Sequence, residues 1–126
     1  MAVIAWEHVT TPVTGQGLKL VRWAGLGASD TGQPFVVAQY SDKTVQWVST
    51  GGSGITIQGS LDSSVDSAGN PNTTDWETLN DPQGNAMSAV TADKIENILE
   101  HCYQIRPSCG AGVSGATVWL LLASTR

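Results

Sequence analysis

Gly51-Gly52-Ser53-Gly54, followed by Ile55-Thr56-Ile57-Gln58-Gly59-Ser60-Leu61, decides the fold class of this chain. The first four residues are small and turn-forming. The seven that follow alternate with a period of two, Ile55, Ile57 and Leu61 on one side and Thr56, Gln58 and Ser60 on the other. A helix of 3.6 residues per turn would scatter these side chains around its axis, whereas a strand sorts them onto an apolar and a wet face. The stretch is therefore read as a half-buried strand entered from a tight turn.

The same pattern extends in both directions. Residues 18–24 set Leu18, Leu20 and Arg22 against Lys19, Val21 and Trp23, a strand partly buried on both sides. Residues 25–34 read as a loop, 35–40 as a strand, 41–43 as a turn, and 44–49 as a strand with Val45 and Trp47 on one face. Residues 62–74 form the longest polar stretch and read as a surface loop. A short strand over 76–79 leads into a turn at 80–85, where Pro82 and Gly84 occupy turn positions. Residues 91–100 are the one helix expectation, with Thr91 as N-cap, Asp93 in the first turn, and Ile95, Ile98 and Leu99 at helical spacing. Residues 101–106 read as a strand halted by Pro107. Residues 116–123 are apolar on both faces and so central or covered.

Short strands divided by Gly and Pro turns predict an all-β protein, an antiparallel β-sandwich of jelly-roll or Greek-key type with at most one short helix, at 91–100. Residues 1–17 are read as an N-terminal arm or edge strand with a link, and 18–126 as a single sandwich domain.

The 126 residues suffice for one hydrophobic core. Only 13% of them are charged, against roughly 25% in an ordinary globular protein, and such a surface suits a protein that covers part of itself with a partner. The net charge is −5 and the six basic residues are scattered. No basic stripe is present to replace phosphate counterions, so neither nucleic acid nor an acidic membrane is an expected partner. The opening residues lack the charge and apolar run of a signal peptide, and the longest apolar run, 118–123, is far short of a membrane span. Synthesis in a cytoplasm is expected, where Cys102 and Cys109 read as reduced thiols; a disulfide across the turn at Pro107 and Gly110 is the alternative.

The residues give little support for catalysis, and no cofactor is expected. Nucleophilic chemistry needs a base held against the nucleophile, and only His8 and His101 offer one, neither in a recognisable motif. Most Asp residues sit in turns, where their carboxylates bond locally to backbone. The inorganic candidate is calcium on the long loop, with Asp62, Asp66 and Asp75 as carboxylates and Asn70 and Asn72 beside them. The spacing fits no EF-hand, and a solvated loop is the competing reading. Trp23, Trp47, Trp76 and Trp119 fall in strands and are expected in the core. Trp6 stands near a terminus with Val3 and Ile4, and these three are the candidate assembly residues.

From about Trp23 onward the chain resembles a family of small virion proteins of tailed bacteriophages, the head decoration or cement proteins. The likeness rests on DTGQP (30–34), SDKTVQW (41–47), GITIQGSLD (54–62), TDWETLNDPQGNAMS (74–88), YQIRP (103–107) and the terminal apolar strand, with WETLNDPQGN its most specific phrase. The resemblance implies a β-sandwich with an assembly role and no catalytic residues. It implies binding to the major capsid protein on the outside of the capsid, localisation to the virion after synthesis in the host cytoplasm, and a homotrimer. A tail or head-fibre component is the alternative within the virion. The rhythm of ITIQGSLD and YQIRP is also similar to discoidin-type jelly rolls, which makes a carbohydrate-binding module the alternative of another class.

Overall fold

The computed structural model describes residues 1–9, 17–49 and 51–124. Among these every regular element is a strand: β1 (Val3–Ile4), β2 (Glu7–His8), β3 (Leu18–Leu26), β4 (Thr31–Gly32), β5 (Phe35–Val36), β6 (Asp42–Val48), β7 (Ile55–Ser60), β8 (Glu77–Thr78), β9 (Lys94–Asn97), β10 (Gln104–Cys109) and β11 (Ala116–Ala123). One sheet runs β1-β4-β10-β7-β8, with β5 also on β10, and the other runs β2-β3-β11-β6-β9. From β3 onward the chain changes sheet at every connection except β4 to β5 and β7 to β8. All pairs are antiparallel apart from β1 with β4. This is a jelly roll, the double-sheet arrangement expected from the strand and turn pattern.

The alternation in the sequence sets the layers. Ile55 and Ile57 of β7, Val45 and Trp47 of β6, Val21 and Trp23 of β3, and Val118, Leu120 and Leu122 of β11 are all buried in one continuous core. Two indole N–H groups tie the sheets together. Trp47 donates to the Ile55 carbonyl at 3.2 Å and Trp23 to the Gln33 carbonyl at 2.9 Å, so each large ring is buried with its one polar atom satisfied.

Five local expectations are corrected. Residues 91–100 are not helical: β9 pairs with β6, Ile95 opposite Gln46 and Asn97 opposite Thr44, and Asp93 accepts the Ser49 N–H at 2.7 Å instead of serving the first turn of a helix. A helix there would leave the edge of β6 without its ladder, and tertiary pairing outweighs the weak local preference. Leu61 does not face the core but is 78% exposed, while Ser60 is buried. The strand ends at Ser60, whose Oγ accepts the Asp62 N–H and turns the chain away. Residues 25–34 are more than a loop, holding the end of β3 and all of β4. The strand expected over 35–40 is short: β5 stops at Val36, and Tyr40 N–H closes a turn on the Val37 carbonyl. Finally, β10 continues through Pro107, which lies between the positions paired with β4 and with β5. A residue without an N–H fits there because Gly32, whose missing Cβ would come within 2.5 Å of Pro107 Cδ, leaves room for its ring.

One end of the sandwich is closed by interlocking glycine loops. The Gly110 N–H donates to the Gly54 carbonyl, the Ser29 N–H to the Gly110 carbonyl, and the Gly112 N–H to Ser53 Oγ. Gly54 adopts φ +84°, and a Cβ there would lie 2.4 Å from the Ala89 carbonyl group. Gly54→Ala therefore combines left-handed strain with a backbone clash and is expected to lower unfolding free energy by about 2 kcal/mol in urea titration.

Residues 1–9 are built into the sheets as edge strands. The Gln33 N–H donates to the Ile4 carbonyl at 2.7 Å, the Thr31 N–H to Ala2, and the Val9 N–H to Leu20. The remainder of the expected link, 10–16, lies outside the described residues.

Candidate interaction surface

The strands of the second sheet send alternate side chains away from the core. Register places Arg22, Trp119, Gln46 and Ile95 in one row across the outer face, and Leu20, Leu121, Thr44 and Asn97 in the next. The rows hold an apolar band of Leu20, Trp119, Leu121 and Ile95, extended by Leu18 on β3. Ile95 is 61% exposed and Leu121 42%. Between them lies a shallow groove of about 290 Å³ lined by Leu20, Thr44, Gln46, Ile95, Trp119 and Leu121. Antiparallel sheets that face water on one side ordinarily alternate apolar and polar residues, and β11 breaks that rule in its outward positions.

Arg22, Thr44 and Asn97 of this face are held in fixed partnerships. Arg22 Nε donates to Glu7 Oε1 at 2.6 Å, and the guanidinium lies 5.1 Å from the centre of the Trp119 ring. Thr44 Oγ1 donates to Asn97 Oδ1 at 2.8 Å. The face is thus pre-ordered, which lowers the entropy that a partner's arrival must overcome. Trp119 belongs here and not to the core, contrary to the sequence expectation.

Trp76 is likewise half-buried outside the core. The Arg106 guanidinium stands 4.3 Å from its ring centre, and Arg106 Nε donates to Gln58 Oε1 at 2.9 Å. Burial lowers the Arg106 pKa. Trp119 and Trp76 therefore each carry an arginine over the ring.

The expected assembly residues fall on the other sheet's edge and at the seam. Val3 is exposed and Ile4 half-buried in β1, and the Trp6 ring meets Phe35 edge-on at 4.9 Å. Trp6 is thus a closing side chain of its own sandwich. His8 packs near the same two rings, and His101 Nε2 contacts the Ala38 carbonyl at 3.1 Å.

The long loop is compact, and its carboxylates serve separate turns. Asp62 Oδ1 accepts the N–H and Oγ–H of Ser64, which hold its pKa below the ordinary carboxylate value. Asp66 Oδ1 accepts the N–H groups of Ala68 and Asn70. Among the described residues no group of three or more His, Cys, Asp or Glu side chains gathers as a metal site, so Asp62, Asp66 and Asp75 do not converge on an ion. The phrase NDPQGN is a scaffold turn: buried Asp81 accepts the N–H groups of Gln83 and Asn85, and Glu100 fixes Asn80 through its N–H and Nδ2.

Cys102 and Cys109 are free and buried on the core side of the β10 segment, too far apart along an extended chain for a bridge. Burial raises both thiols, Cys109 to about 11, with the charge of Asp30 adding to it. Neither should react with a thiol reagent at pH 8 until the protein unfolds. The folded state keeps a Cys109 proton that the unfolded chain releases above about pH 9. That stabilisation is present below pH 9 and lost as pH rises toward 11. The melting temperature should fall across that window, and less steeply in Cys109→Ala.

No protein-family model matches the chain, and no curated protein does. Among solved structures, a cupin domain from Bordetella pertussis Tohama I is similar over 100% of this chain and 99% of its own, at 10% identity and a TM-score of 0.49. A likeness that slight carries no argument about function; the strand order of the chain itself identifies the jelly roll.

The sequence reading singled out Val3, Ile4 and Trp6 and did not single out the outer band of the second sheet. Leu20, Ile95, Trp119 and Leu121 were legible as apolar side chains, but which face of a doubly apolar strand stays open depends on what lies across it. The signal present was β11 itself, apolar in all but one position.

Proposed function

We propose that this chain is a structural protein of a bacteriophage virion, a decoration protein that binds the outside of the major capsid shell and stabilises the head. The observation that supports this reading is the open apolar band of the second sheet, which fits the chain for assembly with further protein, its own copies included, and leaves the first sheet and the loops to meet the shell. The packed interior leaves the molecule its outer faces to work with. The resemblance in WETLNDPQGN and GITIQGSLD supplies the class of assembly. A sugar-stacking role is disfavoured, because Arg22 and Arg106 stand over the ring faces of Trp119 and Trp76 that a sugar would use. Cementing sums many modest contacts at symmetry-related positions, so a small interface per copy suffices.

Cosedimentation of purified protein with decoration-depleted heads tests the reading. Saturable binding that protects the heads against heat or chelator is expected. Protein that stays in the supernatant at every concentration would refute it.

A further inference from the structure

We infer that the occupant of the apolar band is a second copy of this chain, the two molecules packing through the outer faces of their five-stranded sheets. The inference rests on the assembly reading above and names the partner of its surface.

Charge argues for it first. The chain carries a net charge of −5, so two copies repel wherever their acidic surfaces meet. Asp62, Asp75, Glu77 and Glu100 line one pocket against the first sheet. The outer face of the second sheet is nearly neutral. Glu7 is paired with Arg22 at 2.6 Å, while Lys94 and Glu96 of β9 stand opposite Trp47 and Val45 and so belong to the other side of the sheet. Asp42 sits at the rim as one further carboxylate. This is the face through which two like-charged molecules can approach with little repulsion, and it has little net charge by which to select a charged partner.

Area argues for it second. Five strands spaced about 4.8 Å apart give a face of about 500 Å² per copy. Two such faces bury about 1,000 Å² in all, at the lower limit for a specific interface. A contact of that size associates in the micromolar range and gains from the repetition of an assembly. Because the same patch serves both molecules, the contact is isologous and closes at two. It does not generate the homotrimer that the family resemblance implies.

Sedimentation velocity from about 1 to about 100 μM, the range set by such an interface, tests the inference on the full chain. The wild type is expected to pass from monomer to dimer, and Leu121→Lys and Ile95→Lys to raise the dissociation constant at least tenfold with circular dichroism unchanged. Both positions are exposed, so the changes spare the core. A wild type monomeric throughout, a trimer, or a dimer that survives both substitutions would overturn the inference. The head-binding assay separates its failure from that of the function. A monomer that still binds heads keeps the decoration reading and removes this contact; a dimer that binds no heads keeps the contact and removes the decoration reading.

Discussion

Trp47→Ala is expected to lower the unfolding free energy by about 4 kcal/mol and the melting temperature by about 15 °C. The Trp47 ring is fully buried at the centre of the core, its N–H bonded to Ile55 in the opposite sheet, with Lys94 Nζ 5.7 Å from its ring centre. Alanine leaves a large cavity, and that term dominates, since the Ile55 carbonyl loses the indole but keeps the Val90 N–H at 3.1 Å. Trp119→Ala supplies the contrast. That ring lies on the outer face under Arg22, so its removal should cost only about 1 kcal/mol. Urea titrations of the two variants side by side check the layering, and equal losses would contradict it.

Removal of residues 1–9 is expected to cost more than any single substitution outside the core, about 4 kcal/mol. Deletion strips the outer strand from each sheet, ending the β1 pairing with β4 and the β2 pairing with β3. It also uncovers Phe35, which the Trp6 ring shields. Trp6→Ala alone should cost about 2 kcal/mol, because the ring is half-buried and a fully buried one costs more. The truncated chain should melt far below the full-length protein and bind a hydrophobic dye. A truncated protein with unchanged melting temperature would mean that these residues serve assembly and not the sandwich.

Much of the fold was legible because β-structure writes its period into the sequence. Val45 with Trp47, and Ile55 with Ile57, announced inward faces that the core confirms. The failures share one physical cause, which is that neighbours decide what local pattern leaves open. Ile95, Ile98 and Leu99 fit a helix in isolation, yet the open edge of β6 draws 94–97 into a ladder. Pro107 reads as a stop unless Gly32 is known to make room beside it. Trp76 and Trp119 look like core residues until Trp119 is seen on the outward side of β11 and Trp76 just ahead of β8, each beneath an arginine. The outer apolar band was the least legible part, since the exposed side of β11 has the composition of a buried one.

The measurement that most directly tests the assembly role is quantitative mass spectrometry of purified virions, with the copy number of this chain referred to that of the major capsid protein. The decoration reading predicts hundreds of copies per particle, in fixed ratio to the shell protein. A few copies or about a dozen would place the chain in the tail or a fibre, and its absence from washed particles would contradict a structural role altogether.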